Sequence, residues 1–346
     1  MEFLAELGLF VAKALIIVIA IAAVIGAIAR AARSGESGAP KMRVKKLNET
    51  YRRLGLALKR SVLPKHALKK VRSEEKARAK ARSKAKGQAL TTAVERPRIY
   101  VLDFDGNVRA SQVSALREEV TAILMVARPH DEVVVRLESS GGFVHAYGLA
   151  ASQLERIKAR EIALTVAVDK VAASGGYMMA CVGAKVLAAP FAIIGSIGVV
   201  AGVPNVHRLL KKNNVDFELF TAGKYKRTVT VMGENTKEGR AKFQDDLEET
   251  HGLFKSHIQR HRPALDIEKV STGEHWYGTQ ALSLGLIDEV TTSDDYLLSK
   301  LDSADLYSIQ HKVKKPLLER VSGAAQGAIE GAIEQILHRS NDRHEM

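Results

Sequence analysis

The strongest hydrophobic pattern in the chain comes first. Ala14 to Ala29 contains no polar or charged side chain, and Leu7 to Ala29 is broken only by Lys13. At 1.5 Å rise per residue the longer window spans roughly 35 Å as a helix, enough to cross a bilayer, and Lys13 can snorkel to an interface. Residues 1–30 are therefore predicted to be a transmembrane anchor. A cleaved leader is the competing reading, because Ala27-Ile28-Ala29 is a small-residue cleavage pattern; Glu2 and Glu6 stand where a leader would carry Lys or Arg.

Over 31–96 the apolar periodicity disappears. A Gly/Ser patch, SGESGAP, and the run KARAKARSKAK predict a basic, membrane-proximal connector, either a solvated tether or a stripe lying on anionic lipid heads. From Arg98 strands and helices alternate. RIYVLDFDG is an apolar run ending in turn residues, ASQVSALREEVTAILMVARP has helical spacing, and EVVVRLESSGG is a β-branched run ending in glycines. GFVHAYGLAASQLERIKAR is helical again and IALTVAV is a further buried strand. Such alternation predicts an α/β domain with a mostly parallel sheet over 97–300. KVLAAP, FAIIGSIGVV and VDFELFTAG read as further strands, Lys237 to His261 as a long amphipathic helix, and the domain is expected to close near Val290. In the tail, 301–346, Leu317, Val321, Ala325, Ile329, Ile333 and Leu337 keep helical spacing, so 316–338 is predicted to be one amphipathic helix packing on the body or a second subunit.

Charge changes this picture only locally. The net charge is +13, yet 18 Lys/Arg and three Glu fall between Lys41 and Lys86, so the rest of the chain carries about −2. The folded domain offers phosphates no positive field, and no nucleic-acid partner is expected. One cysteine, Cys181, excludes an intramolecular disulfide framework, and reads as a small core residue. No His/Asp/Glu group has metal spacing, no phosphate loop is present, and no cofactor is expected.

The candidate chemistry sits in DKVAASGGYMMACVGA. Ser174 follows a buried strand, and Gly175-Gly176 open an apolar helix whose first amides lack intrahelical partners. A hydroxyl there can act as a nucleophile with the next N–H ready for an oxyanion, or can simply cap the helix. In ESSGG, Gly141 and Gly142 make a second strand-to-helix turn one crossover earlier, and in a parallel sheet both turns reach the carboxyl edge where α/β sites are built. His145, His207, His251, His257, His261 and His275 could complete a Ser-His-Asp triad, yet nothing pairs one with a buried carboxylate. Asp169 and Lys170 read as structural.

VAASGGY, GSIGV and AGKYKR together resemble the family of membrane-anchored serine peptidases typified by signal peptide peptidase A, in the layout of its SohB-type members, over roughly residues 1–300. The resemblance implies a ClpP/crotonase-like fold of repeated ββα units and a Ser/Lys dyad. It makes Ser174 the nucleophile, Lys226 the general base, Gly141 and Gly175 the oxyanion donors, and Ser196 the hydrogen-bond partner that orients the lysine. It implies peptide substrates, hydrophobic ones from signal peptides or unfolded membrane segments. It also implies a ring-like homo-oligomer in which Ser and Lys meet across a subunit boundary, and a single-pass location in the bacterial inner membrane. Lys224 is the rival base, since on a strand it faces the same way as Lys226. A lysine with an ordinary pKa of about 10.4 is a poor base, and lowering it to about 7 takes roughly 4.6 kcal/mol of desolvation. Phe191, Ala192, Ile193, Ile194, Met178 and Met179 are the expected dry walls. The basic connector places the domain in the cytoplasm by the positive-inside rule, whereas the resemblance implies the periplasm, which long domains reach against that bias. A crotonase-like acyl-CoA enzyme and a catalytically silent membrane scaffold are the other classes the same motifs permit.

Overall fold

The computed structural model describes residues 42–71, 73, 76–77 and 96–311. The predicted anchor over 1–30 and the predicted helix over 316–338 lie outside them. No helix among the described residues is long and apolar enough to cross a membrane. Arg43–His311 forms one compact unit.

The sheet is built on β2 (Arg98–Gly106), β3 (Glu132–Ser139), β4 (Ala163–Val168) and β6 (Lys185–Ala188), which pair in parallel as the β-branched runs predict. β9 (Glu289–Val290) extends it beyond β6, also in parallel. At the carboxyl end of β3 a branch leaves the main sheet. β5 (Val171–Ala173) pairs with Ser139, β7 (Ile193–Gly195) pairs with β5, and β8 (His275–Tyr277) closes the branch antiparallel to β7. The chain order therefore contains a strand-strand-helix unit, β4-β5-α4, and a second pair of strands, β6-β7, that reaches its long helix α6 only after the short helix α5, with α4 at Gly175–Ala180, α5 at His207–Lys212 and α6 at Lys237–His261.

Alternation along the strands sends side chains to two covered faces. Tyr100, Leu102, Phe104, Val133, Val135, Leu137, Val166 and Val168 are buried on one face, where α2 (Val113–Leu124) and α3 (Val144–Lys158) pack. Ile99, Val101, Val134 and Ala167 point the other way and join Tyr296 and Leu297 of α9 (Ser293–Ser299) in a second core. Towards the carboxyl edge this second face turns polar: Asp103, Asp105, Arg136, Glu138 and Asp169 line a cleft of about 210 Å³, in which Arg136 Nε donates to Asp103 at 2.6 Å. Asp169 also has a structural task, accepting from Ser293 N at 2.8 Å and Ser293 Oγ at 2.6 Å and so fixing the start of α9.

The domain is larger than 97–300 at both ends. Met42–Lys46, inside the predicted connector, is strand β1 at the edge of the sheet, and Leu47–Val62 is helix α1, whose Leu47 and Tyr51 pack on the second core. The anchor of this extension is Asn48, 1% exposed. It donates to Leu301 O and Ala304 O at 3.1 and 2.9 Å and accepts from Leu306 N at 2.7 Å. Leu306 belongs to β10 (Asp305–His311), parallel to β2 and well past Val290. One expected strand is missing. VDFELFTAG, 215–223, is irregular, because its alternating apolar residues find no partner strand among the described residues; Phe217, Leu219 and Phe220 stay exposed.

Candidate active site

β5 is only three residues long, and the chain must turn sharply at its end to enter α4. Ser174 makes that turn with φ 52° and ψ −117°, a region costly for a residue with a Cβ. Its backbone is held from both sides: Ser174 N–H donates to Gly195 O at 2.8 Å, and Met178 N–H donates to Ser174 O at 3.0 Å. The hydroxyl is not a helix cap, since it makes no capping hydrogen bond and the backbone is not in the extended conformation that capping uses. It is left half-buried beside the first amide of α4.

The register Ala173↔Gly195 sets Ser196 beside Ser174, and Ser196 shares the same backbone strain at φ 51°. On the other side, Gly141 approaches the nucleophile turn so closely that a Cβ there would stand 2.8 Å from both Gly175 N and Ser174 Cβ. Its φ of 92° also requires glycine. Four of the five expected site residues, Ser174, Gly175, Gly141 and Ser196, therefore converge. One detail differs from expectation. The Gly141 amide is already engaged, donating to Ser139 Oγ at 3.0 Å. The neighbouring Gly142 amide has no hydrogen-bond partner among the described residues, while its Cα packs on Val108.

Lys226 is not brought to this cluster within the single chain. It lies in a turn, its backbone N–H donating to Gly223 O at 3.1 Å, and its side chain is exposed, without an ion pair or hydrogen bond among the described residues. Lys224 is committed elsewhere. It pairs with Glu238 at 2.9 Å, which holds its ammonium above the ordinary value. Nor do the expected pocket walls form one. Ala192, Ile194 and Met179 are core residues, Met178 is buried, and Phe191 is 82% exposed against Tyr277. Around Lys226 the chain instead carries an exposed apolar series, including Val200 at 94% and Phe220 at 88%.

None of the six histidines hydrogen-bonds Ser174. His251 Nε2 meets Ile197 O at 3.3 Å, and His257 Nε2 donates to Met178 O at 2.9 Å, bracing α4 from behind. Contrary to the expectation that no such group has metal spacing, Glu155, His257 and His261 come within metal-ligand distance of one another: His257 and His261 stand four apart on one face of α6, and the fold adds Glu155 to the cluster. Its atoms are already satisfied: Arg260 Nη2 lies 2.8 Å from Glu155 and 3.2 Å from His257 Nδ1, and His261 Nε2 lies 2.8 Å from Glu155. Burial pulls both imidazoles below their ordinary value, so the group is a neutral-histidine brace. Cys181 is fully buried, and burial pushes its thiol up to about 12, which makes it inert.

Comparison with known proteins matches two consecutive family models to the chain, "Peptidase family S49 N-terminal" over residues 2–154 and "Peptidase family S49" over residues 156–306. The "Probable protease SohB" of Haemophilus influenzae is 49% identical over 98% of this chain and 96% of its own length. That of Buchnera aphidicola subsp. Schizaphis graminum is 47% identical over 92% of this chain and 93% of its own. Among solved structures, a mutant of the 1510-N membrane-bound stomatin-specific protease in complex with a substrate peptide superposes with a TM-score of 0.42 at 12% identity, covering 67% of this chain and 99% of its own. With two adjoining models that together take in nearly all of residues 2–306, and relatives near half identity along the full length, the chain belongs to peptidase family S49.

Proposed function

We propose that this chain is a serine endopeptidase that cleaves hydrophobic peptides through an acyl-enzyme, with Ser174 as nucleophile and Lys226 as general base. The observation that carries the reading is the Ser174 turn: backbone strain is spent on presenting a hydroxyl that neither caps its helix nor bonds to any described residue. In the first step a neutral lysine amine takes the Ser174 proton and Oγ forms a bond to the scissile carbonyl carbon. The peptide C–N bond then breaks, and the lysine proton passes to the leaving amine. Water resolves the ester by the same route in reverse. Charge on the tetrahedral oxygen is met by the Gly175 amide and by the amide left free in the Gly141-Gly142 turn, that of Gly142.

In this reading Lys226 works on the Ser174 of an adjacent subunit. The exposed apolar series around it, from Val200 to Met232, is what such an arm would bury against a neighbour, and that burial would desolvate the amine. Ser196, beside the nucleophile, would receive and orient the incoming ammonium or amine. Val108, Phe143 and Val144, exposed at the mouth of the two glycine turns, are suited to apolar substrate side chains. The membrane anchor over 7–29 and a periplasmic catalytic domain complete the proposal, matching substrates drawn from the bilayer. Glu138, the carboxylate of ESSGG itself, is paired with Lys170 at 3.0 Å, so no observation favours the acyl-CoA reading.

The test is covalent. A fluorophosphonate is expected to label the wild-type chain at Ser174, and Ser174→Ala and Lys226→Ala are expected to abolish labelling. Equal labelling of all three rejects the dyad.

A further inference from the structure

Ser139 and Tyr147 take no part in the Ser/Lys chemistry, yet they form a buried hydroxyl pair that touches both glycine turns. We infer that they are positioning residues for the reaction, fixing which amide of the Ser140–Gly142 turn faces the acyl oxygen. The inference rests on the serine-peptidase reading.

Tyr147 is fully buried in the first turn of α3. Its ring lies directly beneath Gly175, where a Cβ would stand 2.4 Å from Tyr147 Cγ. Its hydroxyl extends past Gly106, where a Cβ would stand 2.6 Å from the phenol oxygen, and contacts both Asn107 O at 2.8 Å and Ser139 Oγ. One side chain therefore supports the donor at the head of α4 with its ring and the opposite turn with its oxygen.

The protons of this network can be assigned. Burial raises the phenol above its ordinary value, so Tyr147 remains a donor, and Asn107 O is an acceptor in line with it. The Ser139 hydroxyl then donates to the Tyr147 oxygen or to Gly106 O, 3.1 Å away. Either choice leaves a Ser139 lone pair for the Gly141 N–H at 3.0 Å. With that amide pinned inward and Gly141 held at φ 92°, the freedom of the turn is reduced, and the next N–H along, on Gly142, has no hydrogen-bond partner among the described residues. Removing the Ser139 hydroxyl leaves the buried Gly141 amide without a partner, and removing the Tyr147 hydroxyl strands Asn107 O and takes away the contact that holds Ser139 Oγ against that amide. In the first case directly, and in the second through a loosened Ser139, the Gly141 N–H can rotate outward and the Gly142 N–H away, and the oxyanion pocket loses its order.

Tyr147→Phe and Ser139→Ala, made in the full-length chain in nanodiscs, test this. Tyr147→Phe keeps the ring under Gly175 and Ser139→Ala is smaller than the residue it replaces, so each provides a folded comparison if the other fails. Expected for both is a fall in kcat of about tenfold to a hundredfold with KM within about twofold, the range for a misplaced oxyanion donor. A peptide aldehyde, whose hemiacetal oxygen occupies the same pocket, should lose affinity by the same factor as kcat. An uncleaved peptide bound to the Ser174→Ala background should bind equally with and without the second substitution, and the pH profile should keep its shape. Wild-type kcat in both variants overturns the inference, as does a lowered Tm with unchanged aldehyde affinity. A wild-type protein that forms no fluorophosphonate adduct removes the parent reading instead, so the two failures are distinguishable.

Discussion

Gly141→Ala is the sharpest single perturbation of the two-turn arrangement. The methyl group would stand 2.8 Å from Gly175 N, 2.8 Å from Ser174 Cβ and 2.9 Å from Ala173 O, each about 0.6 Å inside an ordinary contact. All three obstacles are backbone or Cβ atoms, so no flexible side-chain end can move aside. The backbone at φ 92° adds about 1–2 kcal/mol for any residue other than glycine. Relief requires the ESSGG turn and the nucleophile turn to separate by roughly half an ångström. With about a hundredfold lost per ångström of misplacement, a shift of that size costs about tenfold in rate, while the overpacking costs about 2–3 kcal/mol of stability. The assay pairs the pseudo-first-order rate of fluorophosphonate labelling at Ser174 with Tm from calorimetry. Labelling at the wild-type rate, in a protein whose Tm has fallen, would refute the reasoning, because it would mean that Gly141 is not at the reacting centre.

Two further outcomes test the scaffold. Glu119 is 5% exposed, and desolvation raises its carboxyl to about 7 despite the His311 N–H it accepts at 2.6 Å. Its proton is therefore held more tightly in the folded chain, so stability is full below about pH 4.5 and declines as pH rises through 7. Glu119→Gln should match the wild type at pH 5 and exceed it by about 1–3 kcal/mol at pH 8 in urea titrations; a difference independent of pH would contradict the assignment. Asn48→Ala should cost about 3 kcal/mol, because it strands Leu301 O, Ala304 O and Leu306 N together. A loss under about 0.5 kcal/mol would mean that α1 is an appendage.

What could be read from the chain follows from which signals are local. The α6 boundaries fall at Lys237 and His261 as helical spacing predicts, with Thr236 capping through Gly239 N. The strand-to-turn placement of Ser174 was equally legible, since a short apolar run, Val171 to Ala173, leads into Ser174-Gly175-Gly176. The sheet's outer strands were not. MRVKK is polar enough to pass as connector, and its membership depends on Asn48 bonding residues more than 250 positions away. The opposite error at 215–223 has the same origin: alternation marks a segment able to pair, and only a partner makes it a strand. At the site, residue types predicted the convergence of Ser174, Gly175 and Gly141. The contact between Tyr147 and Ser139 beneath the turn was not legible, because the helical position of Tyr147 gives no hint that its oxygen reaches Ser139. The His257–His261 pair, four apart on one helix, was legible; that Glu155 joins it was not, because α3 and α6 meet only in the fold.

The central claim is that Ser174 is activated by a lysine supplied from another copy of the chain, and mixing two dead variants measures it. Ser174→Ala and Lys226→Ala, co-expressed at equal levels, should each be inactive alone. Together they should recover about a quarter of wild-type peptidase activity, the fraction of sites in a randomly mixed ring that receive an intact serine and an intact lysine. No recovery from a well-formed mixed assembly, or full activity in Lys226→Ala alone, would contradict the account.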